Sequence, residues 1–387
     1  MNIELIEALK SRHQELKEWQ EKMHRNPELS MQEENTARFI VKKLKDFGAY
    51  EIVEGIGKYG IVASLKVGNS DKAIGIRADF DALPIQEENN LPYKSSTDGI
   101  AHLCGHDGHT AMALGAAKYL AETKSFNGTI RFIFQPGEET MQGAPAMIAD
   151  GLFDRFPVDE VYAMHNMPRL DFGKFYFREG QTMAAVDNWE IELIGKGSHG
   201  AIPELGIDPI VCGASLVMAL QTIVSRNVSP WKESVVNVGA FNAGNVGNVM
   251  PQKATLKLSI RNMDQTIRKM VLDKVRSITK AQAEAFNCQY TIKEGMAGNV
   301  LFNAAEQTRK ASAIAKETFG IENVIDDGNA YMGSEDFAFM LEEVPGNYVM
   351  LGNGKGPMVH HPKYQFNQDL LPIGAAYWVA LTQSLLK

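Results

Sequence analysis

Residues 129–140 read TIRFIFQPGEET, and this stretch decides much of the fold. Thr129 to Phe134 looks like a buried strand. A proline-glycine turn at 136–137 follows, and two adjacent carboxylates, Glu138 and Glu139, come directly after it. Working outward, Ile61 to Val67 and Ala73 to Ala78 are apolar runs of strand length, and Glu160 to Met164 (EVYAM) reads as another buried strand. Between them, TAMALGAAKYLAET (110–123) predicts a helix after a glycine-rich turn. Strands alternating with helices predict an α/β sheet covered on both faces.

The first 47 residues predict two helices, interrupted at Asn26-Pro27, with Gly48 stopping the second. After about residue 184 the rhythm changes. NWEIELI (188–194) alternates polar and apolar, as do Val235 to Ala240 and Ala254 to Arg261. Helices are predicted at about 208–224 and 265–286, then a strand from Cys288 to Glu294. This β-α-β-β-α-β order predicts a small antiparallel sheet with two helices on one face. The simplest architecture is a main α/β domain, 1–184 plus 300–387, with a smaller α+β domain, 185–299, inserted. The last predicted helix is Ile373 to Leu386.

The chain has 387 residues, 44% of them hydrophobic, which is comfortable for two domains. Its 39 basic and 47 acidic residues leave a net charge of −8. That argues against nucleic acid as a partner, though a local Arg can still recognise a small anion. Cys104, Cys212 and Cys288 are too few and too scattered for a disulfide framework, so a reducing cytoplasm is expected. The charged, periodic N-terminus does not read as a signal peptide, and no run approaches the roughly 20 apolar residues of a membrane span.

Four clusters carry chemistry: RADFDALP (77–84), LCGHDGHT (103–110), FQPGEET (134–140) and AMHNMP (163–168). Each follows a predicted strand or opens a helix, where the sites of α/β sheets form. Cys104 and His106 flank a glycine that permits a tight bend, and thiolate plus imidazole suits zinc and related ions. The pair also fits a buried Cys beside a capping His. His109 opens the next helix and reads as a packing or hydrogen-bonding residue. Glu138 and Glu139 point in different directions, so one could bind metal while the other serves as general base; a solvated acidic pair is the alternative. His165, at a strand end, could be a ligand or a satisfied core residue. Asp79 and Asp81 share a side of an extended chain, and could orient a ligating His or cap a loop. Tyr331 to Asp336 and His360-His361-Pro362 add polar groups near the C-terminus.

Taken together these clusters resemble the bacterial hippurate hydrolases and plant auxin-conjugate amidohydrolases, the aminoacylase-like branch of the dinuclear metallo-carboxypeptidases. The likeness runs from HRNPEL (24–29) to FNQDLLPIGAA (366–376). It implies a catalytic domain of the zinc-exopeptidase type with an inserted ferredoxin-like lid or dimerisation domain. It implies two divalent ions, Mn, Zn, Co or Ni, held by Cys104, His106, Glu139, His165 and His360, with Glu138 as general base and Asp81 orienting a site residue. The stretch GKGSHGAIPELGIDP (195–209) resembles the family's inserted-domain motif, which implies that His199 stabilises the oxyanion from a partner subunit of a homodimer or homotetramer. Asn248 and Arg261 fall where the family holds the substrate carboxylate. A Cys at 104 marks the acyl-amino-acid branch, where related peptidases use a carboxylate. One departure is QPGEETMQGA, where the family often reads QPAEEG followed by Gly-Gly-Ala; both carboxylates survive, but the pocket wall changes.

The resemblance therefore implies hydrolysis of N-acyl-L-amino acids to a carboxylic acid and a free amino acid. A dipeptidase or carboxypeptidase using the same site is the alternative. A non-catalytic binding protein would have lost ligands, yet every ligand position is filled. A metal-free Cys104 nucleophile would survive a chelator.

Overall fold

A computed structural model describes all 387 residues. The chain divides into two compact units: Met1–Gly180 with Phe302–Ala330 and Asp336–Lys387, and Gln181–Leu301 with Tyr331–Glu335.

The first unit is built on an eight-stranded mixed sheet. Its order is Glu51–Ile56, Gly60–Val67, Gly128–Gln135, Ala73–Asp79, Glu160–Pro168, Gly346–Gly354, Phe175–Tyr176 and Val324–Ile325. The four middle strands, from Gly128–Gln135 to Gly346–Gly354, run parallel, and Asp79 sits level with Gln135. Antiparallel pairing flanks them on either side. Parallel strands must be covered on both faces, which is why they read as unbroken apolar runs. Ile74, Ile76, Ile130, Phe132 and Phe134 join one core with helices His106–Thr123 and Leu371–Leu385. The alternate residues Ile133, Val161 and Ala163 are just as buried but lie outside that cluster. The α/β class is thus observed, and the carboxyl ends of all four middle strands share one edge.

The second unit has a four-stranded antiparallel sheet, in the order Ser234–Ala243, Lys253–Asn262, Ala185–Ile194 and Gln289–Gly298. Trp189, Ile191, Leu193, Leu256, Leu258 and Ile260 face Leu216, Leu220, Ile223, Val271 and Val275, so helices Pro209–Asn227 and Gln265–Ala285 cover one face. Asp208 and Asp264 cap those helices by accepting two backbone N–H bonds each. Pro209–Asn227, a helix of 19 residues, is long and apolar enough to cross a membrane by length and composition, against the expectation that no run approaches that length. Its Cys212, Leu216, Leu220 and Ile223 are instead buried against the sheet.

Several boundaries depart from the sequence reading. The N-terminal segment forms three helices, Ile3–Lys10, His13–Arg25 and Glu34–Phe47, not two. The additional break falls at Ser11, whose hydroxyl bonds back to Ala8 O at 2.8 Å; apolar spacing runs through this point and does not reveal it. The helix expected from Thr110 begins at His106. The strand expected to end at Met164 continues to Pro168, paired with Gly346–Gly354, so His165 lies within it. Asp79 ends its strand, and both carboxylates approach the ring of His106, Asp81 Oδ1 at 3.0 Å from Nδ1 and Asp79 Oδ2 at 3.8 Å from Nε2.

Candidate metal centre

The four chemical clusters meet at the carboxyl edge of the parallel strands. Gly105 has a left-handed φ of +108° immediately before the helix that starts at His106. A Cβ there would lie 2.0 Å from Asn166 Oδ1, so the position needs glycine for clearance as well as for its turn. This bend sends Cys104 and His106 toward the same space from either side.

His106 is completely buried. Its Nδ1 lies 3.0 Å from Asp81 Oδ1 and 3.1 Å from Asp81 O, both acceptors, so this nitrogen donates. Nε2 is buried with no hydrogen-bond partner. It sits 3.9 Å from Glu138 Oε2, 3.9 Å from Glu139 Oε1 and 3.8 Å from Asp79 Oδ2. Burial opposes protonation of this ring, but the charges of Asp79 and Cys104 outweigh it and hold His106 well above the ordinary imidazole value. An orphaned nitrogen among carboxylates is what a metal-facing imidazole looks like, and the carboxylate behind it fixes its tautomer.

Asp81 serves three donors. Besides His106, it accepts from Ser30 Oγ at 2.6 Å and from the backbone N–H of Glu139 at 3.0 Å. It therefore joins the His106 ring to the Glu138-Glu139 loop. Burial works against its ionisation, but the hydrogen bonds and charge of His106 prevail and keep it below the usual carboxylate range.

On the other side, Cys104 Sγ lies 3.2 Å from His165 Nε2, while His165 Nδ1 donates to Asn166 O at 2.5 Å. Burial, then the neighbouring His109 charge, pushes His165 well below its ordinary value, so the ring is neutral and Nε2 carries a lone pair. His360 Nε2 stands 3.3 Å from Glu139 Oε1, and its backbone N–H donates to Leu103 O at 2.7 Å. Its φ of +67° is unusual for a residue other than glycine. Hydrogen bonds with Cys104 and Glu139 raise His360 to about 10. His361 turns away, its Nδ1 accepting from the N–H of Lys363 at 3.0 Å. The structure thus brings His360, and not His361, to the cluster.

Within the first unit, four overlapping groups have one donor atom of each residue within 4.8 Å of the others: Cys104, His106 and His165; Asp79, His106 and His109; Cys104, Glu139 and His360; His106, Glu138 and Glu139. Thiol, imidazole and carboxylate together suit borderline divalent cations. His109 is placed differently. Its Nδ1 is 2.7 Å from Asp79 Oδ1 and its Nε2 is 2.7 Å from Asn166 Oδ1, so both nitrogens are engaged as braces.

The remaining sequence-predicted residues lie in the second unit. His199 and Val249 are paired in a short ladder, and Gly200 donates to Asn248 O at 2.8 Å. His199 is exposed, with Nδ1 accepting from the N–H of Ala201 at 3.1 Å. Arg261 Nη1 donates to Met332 O and Ser334 Oγ, each at 3.0 Å. Sequence reasoning passed over Ser30, Asn166 and Tyr364, the last of which accepts from Asn166 Nδ2 at 2.5 Å. Asn166 stands within the AMHNMP cluster but was given no role there, and no local motif marks Ser30 or Tyr364, because each acts through a contact distant in sequence.

Thiol, imidazole and carboxylate donors gathered at the carboxyl edge of a parallel-centred sheet make a candidate metal centre, and the similarities that follow make the chain a metal-dependent hydrolase of amide bonds. The chain belongs to the Peptidase family M20/M25/M40, whose model matches residues 75–384. It is 47% identical to a hippurate hydrolase of Campylobacter jejuni over 94% of this chain and 95% of that protein. It is 38% identical to an N-acetyl-L-cysteine deacetylase of Bacillus subtilis over 92% of this chain and 84% of that protein. Among solved structures, it superposes with a TM-score of 0.83 on the Bacillus subtilis YXEP protein, described as a dinuclear metal binding peptidase of the M20 family. That pair is 32% identical over 97% of this chain and 99% of the other.

Proposed function

We propose that this protein hydrolyses the amide bond of N-acyl-L-amino acids, of hippurate type, releasing a carboxylic acid and a free amino acid. The observation that carries this reading is the grouping of Glu138 and Glu139 with the unpartnered Nε2 of His106, on a chain so similar to a hippurate hydrolase.

In this reading Cys104, His106, Glu139, His165 and His360 hold two divalent ions, drawn from Mn, Zn, Co or Ni. Such ions, when bound, polarise a carbonyl and lower the pKa of a water. Glu138 accepts a proton from the attacking water as the amide carbonyl is attacked, and returns it to the leaving amine. Only 6% of Glu138 is exposed. Asp81 keeps Nε2 of His106 turned inward. His199 donates to the developing oxyanion from a second copy of the chain; with Nδ1 already accepting, its Nε2 is the nitrogen that carries hydrogen. Asn248 and Arg261 bind the carboxylate of the amino-acid product.

The second unit acts here as lid and dimerisation domain of a cytoplasmic homodimer or homotetramer. Support comes from the edge position of strand Ser234–Ala243 and from Val211, Met218 and Trp231, which are 51%, 70% and 90% exposed. A row of unpaired strand groups and loose apolar side chains is material for an interface.

The test is turnover of a panel of acyl amino acids, hippurate included, beside dipeptides, with metal content measured on the same preparation. Hippurate-like substrates turn over faster than dipeptides if the reading is right; the reverse order makes the chain a dipeptidase or carboxypeptidase. Glu138→Gln keeps its metal and loses roughly 100-fold or more in kcat. Wild-type turnover by that variant removes Glu138 as the base.

A further inference from the structure

Asp336 lies beside the Glu138-Glu139 loop, with a carboxylate oxygen within 4.8 Å of one of Glu138. We propose that Asp336, working with Arg77, is a positioning residue for the loop Pro136–Gln142. The assignment rests on the roles given above to Glu138 and Glu139.

Asp336 is fully buried, as is Gln135, and Arg77 is only 2% exposed. Asp336 Oδ1 accepts from Gln135 Nε2 at 2.7 Å and from Arg77 Nη2 at 3.1 Å. Its Oδ2 accepts from the backbone N–H of Ala144 at 2.9 Å. Gln135 is the last residue of strand Gly128–Gln135, and Ala144 lies in the first turn of helix Gly143–Ala149. One carboxylate therefore grips the chain on both sides of the loop that carries Glu138 and Glu139. Within the loop, Gln142 and Gly143 donate back to Gly137 O at 3.2 and 3.1 Å. The loop is a closed ring whose two roots are fixed by Asp336.

Arg77 completes the frame. Its Nε donates to Gln135 Oε1 at 2.8 Å and its Nη1 to Asp79 Oδ2 at 2.7 Å. Asp79 in turn holds His109 and lies 3.8 Å from His106 Nε2. One planar guanidinium thus ties the loop's strand-side root to the wall beside His106. Two carboxylates and one guanidinium buried together are a weak source of stability compared with an apolar core of the same volume. What they supply is direction, because a planar fork fixes three partners at set angles. A loop carrying a general base needs such direction, since a displacement of about 1 Å can cost about 100-fold in rate.

The experiment compares Asp336→Asn and Gln135→Met with wild type and Glu138→Gln. It measures kcat and KM for hippurate, the dissociation constant for Zn(II) by chelator competition, and thermal stability. Asp336→Asn is expected to lower kcat about tenfold or more with KM within about threefold, and to weaken Zn(II) binding about tenfold. Gln135→Met, which leaves Asp336 intact, shows the same pattern more weakly and serves alone if Asp336→Asn does not fold. Arg77→Lys shows the same defect, because a point charge cannot replace the fork. Wild-type kcat and Zn(II) affinity in a folded Asp336→Asn, with only the melting temperature lowered, overturns the proposal. Wild-type turnover by Glu138→Gln overturns the reading beneath it.

Discussion

His106 gives one ring nitrogen to Asp81 at 3.0 Å and keeps the other buried without a hydrogen-bond partner. That division of labour makes Asp81 a determinant of metal affinity although it touches no proposed ion. Asp81→Ala frees the ring to rotate and strands the N–H of Glu139. The expected result is a loss of roughly 10- to 100-fold in metal affinity. Asp81→Asn, which still offers an acceptor, should lose less. Chelator competition on both variants checks this; equal affinity in Asp81→Ala and wild type removes the orienting role.

Cys104 connects two of the donor groups, lying 3.2 Å from His165 Nε2 and beside His360. Cys104→Ser keeps size and burial but replaces a soft thiolate with a hydroxyl that does not ionise in this range. We expect a folded protein with wild-type melting behaviour in chelator, a reduced metal-to-protein ratio and a large fall in kcat. Metal analysis together with turnover decides it. Full metal content and full activity in Cys104→Ser would leave the thiol without a ligand role.

Glu33 introduces a pH dependence. It is completely buried, and its Oε1 accepts from the N–H groups of Met31 and Gly137, both at 2.8 Å. Burial first, then the charge of Asp81, raises it to about 7. In the unfolded chain a glutamate loses its proton near about 4.3. Between those values the folded protein holds a proton that the unfolded chain has released. Its contribution to stability is therefore complete at low pH and falls as pH rises toward 7. Glu33→Gln keeps an acceptor for both N–H groups and cannot titrate. Urea unfolding from pH 5 to 8 should show wild type losing roughly 1–3 kcal/mol relative to Glu33→Gln. A constant difference across that range contradicts the raised value.

Much of the arrangement was legible because parallel strands advertise themselves. TIRFIF and EVYAM are mostly apolar, and the residues toward the ends of such strands fall at one edge of the sheet. That logic links Glu138, Glu139 and His165 without any contact being known. It does not reach Ser30, Gln135 or Asp336, whose importance lies in partners 51, 58 and 192 to 259 positions away. The residues of the His360-His361 pair by themselves leave the choice open; the family resemblance singles out His360, whose backbone takes a left-handed φ of +67°. Helix starts were misplaced where geometry overrode composition: a glycine at +108° allows the helix to begin at His106, four residues before its apolar pattern.

His199 offers the sharpest test of assembly. It is exposed on a short ladder in the second unit, with no role in that unit's core. If it completes the site of a second copy, His199→Ala and Glu138→Gln are defects that different subunits can compensate. Each variant alone is nearly inactive. In a mixed dimer one site carries both defects, while the other combines an intact Glu138 with an intact His199. Random reassortment makes about half the dimers mixed, so activity should recover to about a quarter of wild type. Co-refolding or co-expression of the two variants, with turnover measured against each homodimer, reads this directly. If His199 acts within its own chain, mixing gives no recovery at all, and the second unit would have to bring it to the site of the same subunit.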